Sequence, residues 1–489
     1  KRALLSCSDK TGLEAFAKAL AGHGVELVAS GGTAEFLVKH GLRVVSVEQF
    51  TGMTEQLDGR VKTLHPKIHA GILARRDDPA HVASVGQGGL IDLVVVDLYP
   101  FQQAIARQGI SLADAIEQID IGGVALLRAA AKNFAHVAVI SQPQQYAVVA
   151  DALAAHKGRL PEPLVLELAV SAFAVTSAYD AAITGFLAAQ NGLQEPPAAG
   201  ALPDEITVRV RKRQALRYGE NPHQAGAWYL PTTGGPEGLA GLTQVQGKEL
   251  SYNNLLDMDA ALRCLLEFQE PACVIIKHNS QCGLAAGGSL GEAYERAYAC
   301  DSESAFGGIV GVNRPLERAL AERLAATFLE VVMAPSVSNE ARTVLAKKTN
   351  LRIVTLPWPS AASGGIEWRQ LFGGWLLQAP DAGVAASEPM HVVTKRAPTQ
   401  REQADVRFAW IAAKHVTSNG IVLARECATV GIGQGQPSRV GSVRLAIQKA
   451  GERARGAVAA SDGFFPFPDS VELLAAAGYP PGALKVKIY

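Results

Sequence analysis

A lysine followed at once by a histidine closes an apolar run in the middle of the chain. Residues 272–276 are apolar and partly β-branched, and Lys277 and His278 come directly after them. The pattern predicts a buried strand that ends in a cation and a titratable imidazole. A cation can stabilise a developing oxyanion while an imidazole moves a proton, as acyl or formyl transfer to a weak amine requires. The alternative is an ordinary strand end with two solvated side chains, because such pairs are common.

A second group of polar residues lies between residues 58 and 71. It contains three cations, a threonine and two histidines, namely Arg60, Lys62, Lys67, Thr63, His65 and His69. This composition suits a loop that lines an anionic pocket. The two histidines are four residues apart, as zinc ligands on a helix are. Pro66 disturbs the helix that this spacing needs and no third ligand is near, so we expect no metal.

Strands and helices alternate in the part of the chain that carries this group. The predicted strands are residues 4–6, 25–29, 42–47, 93–98 and 136–141. The alternation predicts an α/β domain with a parallel sheet, whose ligands bind at the carboxyl ends of the strands. The hydroxyl- and glycine-rich turns at 7–11 and 30–33 lead into helices, where free N–H groups could hold a phosphate. The Ser-Gly-Gly-Thr turn at 30–33 is also compatible with an ordinary N-cap.

The composition changes between residues 188 and 204, where Pro, Gly and Ala predict a linker. After it come a helix, the strand that ends in Lys277 and His278, a glycine-rich turn and another helix. A similar order follows later, with a helix before Lys414 and His415, then a strand at 421–424, a turn at 431–439 and another helix, which is a hint of an internal duplication. The second turn, with Gly431, Gly433 and Gly435, does not match the dinucleotide-binding fingerprint.

The composition excludes several classes of protein. The 489 residues have a formal net charge of +0, which gives no indication of a nucleic-acid or anionic-membrane surface. We expect no apolar run long enough to span a bilayer and no signal peptide. Six cysteines without C-x-x-C spacing favour reduced thiols and a cytoplasmic location.

Several motifs together make the sequence similar to the AICAR transformylase/IMP cyclohydrolase family of bifunctional purine-biosynthesis enzymes. The similarity runs from Lys1 to about residues 464–467, and its motifs are residues 8–12, 60–71, 120–123 with 132–133, 217–219, and 418–419 with 436–439. The resemblance implies an α/β protein. A methylglyoxal-synthase-like parallel-sheet domain at 1–187 would be an IMP cyclohydrolase. After the linker at 188–204, two cytidine-deaminase-like units, at about 205–365 and 366–489, would form the AICAR formyltransferase.

The resemblance also implies substrates and partners. The formyltransferase would take its formyl group from 10-formyltetrahydrofolate, and the cyclohydrolase would close the formylated product to IMP. The family is a homodimer with transferase sites between subunits, and it has no catalytic zinc. In agreement, no His-x-Glu with Pro-Cys-x-x-Cys occurs in this sequence.

Roles for individual residues follow from the resemblance. For ring closure, Lys62 and Lys132 would steady negative charge, and Tyr99 and Asp120 would relay protons. The phosphate would be held by Ser8, Lys10, Ser30, Gly31, Gly32, Thr33, Arg60 and Thr63. For transfer, His278 would be the base, and Lys277 and Asn419 would face the oxyanion. Arg217, Tyr218 and Arg439 would anchor the nucleotide, and Asn254, Phe306, Glu330, Phe464 and Phe465 would line the folate slot. The alternatives are core packing for the phenylalanines and a surface ion pair for Arg217.

Three departures from the family leave other functions open. Residues 279–281 are Asn-Ser-Gln where the family has a small residue and then Asn-Pro, and Asp97 replaces Asn. Near residues 478–481 the chain diverges from the family's Gln-Pro-Gly-Gly turn and His-bearing tail, so we expect the tail to be truncated, frameshifted or replaced. One alternative is a cyclohydrolase whose impaired transferase half is a dimer scaffold. Others are a non-catalytic nucleotide- or folate-binding protein and, more remotely, a zinc deaminase.

Overall fold

The computed structural model describes most of the chain and divides into two compact units. The residues that it describes are 1–57, 59–105, 109–190, 202, 205–232, 235, 237–359, 366–381, 391–392, 394–478 and 484–486. Unit 1 comprises Lys1–Ala199 and unit 2 comprises Gly200–Tyr489. Most of the predicted linker and the divergent segment after Gly478 lie outside the described residues, although residues 188–190 still belong to a helix.

Unit 1 is built on a five-stranded sheet in which all neighbouring strands are parallel. Its strands are β1 (Arg2–Cys7), β2 (Glu26–Ala29), β3 (Val44–Ser46), β4 (Leu93–Asp97) and β5 (Ala138–Ile140). They are arranged in the order β3-β2-β1-β4-β5, so the direction of winding reverses between β1 and β4. In doubly wound sheets this reversal opens a crevice where ligands bind. The predicted parallel-sheet domain is confirmed.

Ten helices cover this sheet or extend its loops within the described part of unit 1. They are α1 (Leu13–Gly22), α2 (Gly31–Lys39), α3 (Val47–Thr51), α4 (Pro66–Leu73), α5 (Pro79–Val85), α6 (Phe101–Ile105), α7 (Leu112–Glu117), α8 (Gly122–Lys132), α9 (Tyr146–Ala155) and α10 (Glu162–Gln190). The apolar face predicted for α1, including Phe16 and Leu20, is buried in the core of the unit.

Helix α10 corrects one expectation. Its segment Glu162–Ala188 is long and apolar enough to cross a membrane by length and composition alone. The expectation that no run reaches that length is therefore wrong by this criterion, because isolated polar residues interrupt the run without lowering its average hydropathy enough. The helix also packs against α8 and β5, and it contributes Leu168, Ala169 and Ala172 to the core.

Unit 2 contains a ten-stranded sheet and two separate hairpins. Its strands are β6 (Val210–Leu216), β7 (Gly226–Pro231), β8 (Thr243–Gln246), β9 (Ala272–Lys277), β10 (Ser280–Ala286), β11 (Ile309–Val312), β12 (Val331–Ala334), β13 (Arg352–Thr355), β14 (Glu367–Leu371), β15 (Gly374–Gln378), β16 (Ile421–Arg425), β17 (Ala428–Gly433), β18 (Val458–Ser461) and β19 (Leu484–Val486). The large sheet has the order β19-β18-β16-β17-β10-β9-β11-β12-β13-β8. The hairpins are β6–β7 and β14–β15.

The helices of unit 2 reveal a repeated topology. They are α11 (Tyr252–Leu265), α12 (Leu290–Cys300), α13 (Ser302–Ala305), α14 (Arg318–Ala325), α15 (Asn339–Leu345), α16 (Gln400–Lys414), α17 (Arg439–Ala450) and α18 (Asp469–Ala476). In the first repeat, α11 leads into the hairpin β9–β10, α12 and α13 follow, β11 then pairs antiparallel with β9, and β12 pairs parallel with β11. In the second repeat, α16 leads into the hairpin β16–β17, α17 follows, β18 then pairs antiparallel with β16, and β19 pairs parallel with β18. The structure therefore has an internal duplication. The two Lys-His pairs are not equivalent in it, however, because Lys277 ends β9 whereas Lys414 ends α16.

The two repeats form one sheet because β10 and β17 pair in antiparallel fashion. As a result the end of β9, the start of β10, the end of β17 and the start of β16 lie along one edge of the sheet. We call this the Lys277 edge. The starts of β11 and β12 and the end of β18 extend it on either side. The predicted buried strand is present, since residues 272–276 are buried in β9 and Lys277 ends it; both neighbours of β9 are antiparallel to it.

Candidate active sites

A cavity of about 690 Å³ opens at the carboxyl edge of the unit 1 sheet, beside the reversal in strand order. Its walls come from the loops after β1, β2 and β4, the loop before α4 and the start of α8. Among the residues that line it are Ser8, Lys10, Ser30, Gly31, Gly32, Thr33, Arg60, Lys62, Thr63, Tyr99 and Asp120. The structure thus brings together the residues predicted for ring closure and phosphate binding, with one exception.

The exception is Lys132, at the far end of α8. The helix starts at the cavity with Gly122, and a rise of 1.5 Å per residue puts Lys132 about 15 Å away along its axis. The Lys132 side chain is exposed and is not among the residues that line the cavity. Its neighbour Asn133 is buried and donates hydrogen bonds to the carbonyl oxygens of Ile72 and Ala74. The catalytic role predicted for Lys132 therefore has no support from this arrangement.

The N-terminus of α2 forms one wall of the cavity. Ser30 precedes the helix, but its hydroxyl donates to Ser6 Oγ at 3.0 Å and does not cap the helix. Lys10 Nζ lies 3.3 Å from Thr33 Oγ1, which brings a cation to the same helix end. Uncapped N–H groups, the positive end of the helix dipole and a nearby ammonium group together suit a phosphate. The structure therefore argues against an ordinary Ser30 N-cap.

Two further cations of the cavity are engaged in ion pairs. Lys62 Nζ lies 2.7 Å from Glu55 Oε2, and the Arg60 guanidinium pairs with Glu117. These side chains are all at least partly exposed, and such pairs contribute only roughly 0–1 kcal/mol. A phosphate entering the cavity could therefore displace the carboxylates at little cost.

Asp120 is the carboxyl group in this cavity that is best placed for proton transfer. Burial raises its pKa, while hydrogen bonds from the backbone N–H groups of Gly123 and Tyr99 oppose that shift. The Gly123 bond is 2.7 Å long. Tyr179 holds the segment by accepting a bond from the Asp120 N–H and donating one to the Gln118 carbonyl. A fixed carboxyl with a raised pKa suits a group that releases and recovers a proton.

Asp97, the departure from the family before Tyr99, lines the same cavity. Its carboxylate accepts the backbone N–H groups of Ser8 at 2.5 Å and Asp9 at 2.7 Å. Burial raises the pKa of this carboxyl above its usual range, and these two bonds oppose the shift. Asp97 thus fixes the loop after β1, but it occupies two N–H donors that an anion could otherwise use.

In unit 2, His278 and Asn279 form the two-residue turn between β9 and β10. Both have left-handed backbone conformations, with φ of 52° and 57°. The carboxylate of Asp257 on α11 accepts both of their backbone N–H groups, at 3.2 and 2.5 Å. The family's proline is absent, but the carbonyl oxygen of Gln281 accepts a bond from Gln434 Nε2 at 3.1 Å. Side chains from elsewhere in the unit therefore hold the turn that carries the imidazole.

Other predicted transferase residues surround this turn. Lys277 Nζ donates to the carbonyl oxygen of Phe306 at 2.7 Å. Asn254 Nδ2 donates to Glu330 Oε2 at 2.9 Å. The Phe306 ring is 59% exposed and lies against Phe328, so core packing does not explain it. An exposed aromatic ring beside a paired amide and carboxylate is a suitable surface for a flat heterocycle.

A second group lies further along the Lys277 edge. Arg439 donates to Asn419 Oδ1 at 2.7 Å and also pairs with Asp462. A cavity of about 350 Å³ is lined by Arg439, Asp462 and the exposed Phe464. The ring of Phe465 packs instead against a core cluster, which agrees with the alternative interpretation of this residue.

Arg217 and Tyr218 follow β6, in a hairpin outside the ten-stranded sheet. The Arg217 guanidinium lies 5.6 Å from the centre of the Tyr218 ring. No ion pair of Arg217 is found among the described residues, so the surface ion pair considered for it has no support. Neither residue lines the cavity around Asp120 or the cavity around Arg439.

Asp257 was missed by the sequence reasoning, although the duplication carried a signal for it. In both repeats an aspartate accepts a hydrogen bond from the N–H of a residue 22 positions later, Asn279 for Asp257 and Cys427 for Asp405.

Within the described part of the chain, no group of three or more His, Cys, Asp or Glu side chains could hold a metal ion. His65 Nδ1 instead accepts the N–H of Lys67 at the start of α4.

Comparisons with known proteins cover nearly the whole chain. A family model described as "AICARFT/IMPCHase bienzyme" matches residues 130–449, and one described as "MGS-like domain" matches residues 12–125. A "Bifunctional purine biosynthesis protein PurH" from a Cyanothece strain is 50% identical over 97% of this chain and 92% of its own length. One from a Bacillus mycoides strain is 46% identical over 98% of this chain and 92% of its own length. A solved structure, "Crystal structure of ForH", is 35% identical over 37% of this chain and 94% of its own, with a TM-score of 0.35.

Proposed function

Because this chain belongs to the AICARFT/IMPCHase bienzyme family, we propose that its two units catalyse consecutive steps of purine biosynthesis at separate sites. Unit 2 transfers a formyl group to the amine of AICAR, and unit 1 closes the formylated product to IMP. The assignment of one reaction to each unit rests on where the polar residues lie. One set converges on the cavity of unit 1, and the other lies along the Lys277 edge of unit 2.

In unit 1, ring closure joins the carboxamide nitrogen to the formyl carbon. The carboxamide nitrogen and the formamido nitrogen each lose one proton, and the oxygen of the former formyl group leaves with both protons as water. The N-terminus of α2 and Lys10 bind the phosphate, which leaves Lys62 to stabilise charge on that oxygen. Asp120, whose pKa burial raises, moves protons together with Tyr99.

In unit 2, His278 removes a proton from the amine as it attacks the formyl carbon, and Lys277 stabilises the tetrahedral oxyanion. Collapse of this intermediate breaks the bond between the formyl carbon and N10 of the donor. The imidazolium of His278 returns the proton to N10, so tetrahydrofolate leaves. The formyl donor is 10-formyltetrahydrofolate. The exposed Phe306 ring supplies an apolar contact for a pterin, and the exposed Glu330 carboxylate, which the buried Asn254 holds through its amide, supplies a polar one. Arg439 anchors the nucleotide through its forked donors.

The protein acts as a cytoplasmic homodimer, and its transferase sites lie between subunits. A shared site is supported by Arg217 and Tyr218, whose side chains are exposed or half-exposed and do not line the Asp120 or Arg439 cavity of their own chain. Subunit complementation tests this arrangement. A mixture of His278→Gln and Arg217→Ala subunits should recover transfer that neither variant has alone. A mixture as inactive as its parts would refute a shared site.

Separate assays of the two activities test the division of labour. Transfer is measured with AICAR and 10-formyltetrahydrofolate, and ring closure is measured with the formylated nucleotide as substrate. Lys62→Gln should lose ring closure and keep transfer, whereas His278→Gln should do the reverse. Loss of both activities in either variant would contradict two independent sites. Wild-type protein that closes rings without transferring formyl would instead support the alternative of a scaffold half.

A further inference from the structure

The turn that carries His278 has a conformation that its own residues do not favour. His278 and Asn279 both have φ in the left-handed region, at 52° and 57°. Asn tolerates this region better than most residues, but two consecutive non-glycine residues there need support from their surroundings. The direction of the imidazole follows the backbone of this turn, so whatever holds the backbone also aims the base.

We propose that Asp257 is a positioning residue for formyl transfer, because its carboxylate fixes the His278–Asn279 turn and thereby aims the imidazole. The inference rests on the proposed role of His278. One carboxylate oxygen accepts the His278 N–H at 3.2 Å, and the other accepts the Asn279 N–H at 2.5 Å. Asp257 is 7% exposed on α11, which packs directly against β9.

The second repeat contains an equivalent turn held by an equivalent aspartate, but no catalytic residue is proposed on that turn. Glu426 and Cys427 form the turn between β16 and β17, with φ of 57° and 54°. Asp405 on α16 is 4% exposed and accepts the Cys427 N–H at 2.7 Å. Its turn carries no imidazole and no residue proposed for either reaction. The aspartate therefore belongs to the fold of both repeats, and in the first repeat it has also been recruited to hold a base.

This matched pair separates positioning from folding. Asp257→Asn and Asp405→Asn each replace one buried carboxylate at an equivalent turn with an amide, so their effects on the unfolding temperature of unit 2 should be similar. Only Asp257→Asn should lower kcat for formyl transfer, by about 10- to 100-fold, because misplacement of a base by a fraction of an ångström has effects of this size. The KM for AICAR should stay within about twofold, and ring closure should keep its wild-type rate in both variants.

A double variant tests whether Asp257 acts through His278. In a His278→Gln background, Asp257→Asn should not lower the residual transfer rate further, because the base that it positions is already gone. If Asp257→Asn does not fold, Asp257→Glu keeps the carboxylate but displaces it, and should show the same loss in kcat.

Two results would overturn the proposal. One is wild-type transfer by Asp257→Asn, and the other is an equal loss of transfer in Asp405→Asn, which would make the role purely structural. Failure of the underlying function has a different signature. In that case His278→Gln itself would transfer formyl at the wild-type rate, whatever Asp257→Asn does.

Discussion

Gly31 offers a sharp test of the phosphate-binding cavity, because a side chain there would meet the proposed oxyanion-stabilising lysine. Its φ is +40°, and a Cβ added to it would lie 2.9 Å from Lys62 Nζ. Ordinary van der Waals contact begins near 3.4 Å, so the ammonium group must retreat by about 0.5 Å or more. Lys62 Nζ is the far end of a flexible side chain, so it can move away from an added Cβ. Relief of the clash therefore costs little folding free energy, but it displaces the Lys62 ammonium group.

From these distances we expect Gly31→Ala to affect catalysis more than stability. The left-handed backbone should lower the free energy of unfolding of unit 1 by about 1–2 kcal/mol. Displacement of Lys62 should lower kcat/KM for ring closure by about 10- to 100-fold. Formyl transfer by unit 2, assayed on the same preparation, should not change.

Gly41 supplies the control for backbone strain. It follows the other end of the same helix with φ of +79°, and a Cβ there would meet nothing within 4 Å. Gly41→Ala should therefore have a similar effect on unfolding and no effect on ring closure. The reasoning is refuted if Gly31→Ala closes the ring at the wild-type rate, or if Gly41→Ala is equally impaired.

Three further predictions concern individual side chains. His278→Ala should slow formyl transfer by about 10²- to 10⁴-fold, the usual effect of losing a general base, and normal transfer by this variant would exclude the assignment. Because burial raises the pKa of Asp120 above its usual 3.8, its contribution to folding is present below about pH 4 and is lost as the pH rises through the raised value. Asp120→Asn should therefore unfold at the same or a higher temperature than wild type at pH 7 while losing ring closure; a lower unfolding temperature would contradict this sign. Burial alone would raise the pKa of Glu267, but bonds from His415 and Lys414 outweigh it and hold the pKa low. Glu267→Gln, which leaves Lys414 largely buried without its 2.5 Å partner, should destabilise unit 2 by about 3 kcal/mol in denaturant titrations, and a loss below about 1 kcal/mol would show that the pair is dispensable.

The sequence predicted local structure better than it predicted pairing between distant segments. Strand and helix alternation gave the parallel sheet of unit 1, because each element there repeats a local pattern. The Lys277 segment was harder, since an apolar run that ends in polar residues looks the same before a crossover and before a hairpin turn. Lys132 belongs to the second half of a motif whose first half, residues 120–123, lies at the cavity. A helix between the two halves separates them by about 15 Å, which the resemblance did not take into account. Asp257 could have been found only by aligning the two repeats.

The pairing of β10 with β17 also limits which transferase residues can contact the same reacting atom. Lys277 ends β9, and Asn419 precedes β16, three strands away across β10 and β17. At about 4.8 Å per strand their backbones are about 14 Å apart. The Lys277 ammonium group, moreover, bonds to Phe306 on the side of β11, away from Asn419. Contact of both side chains with one oxyanion therefore requires Lys277 to release Phe306. The geometry is simpler if Lys277 and His278 perform the chemistry while Asn419, bonded to Arg439, orients the arginine that anchors the nucleotide.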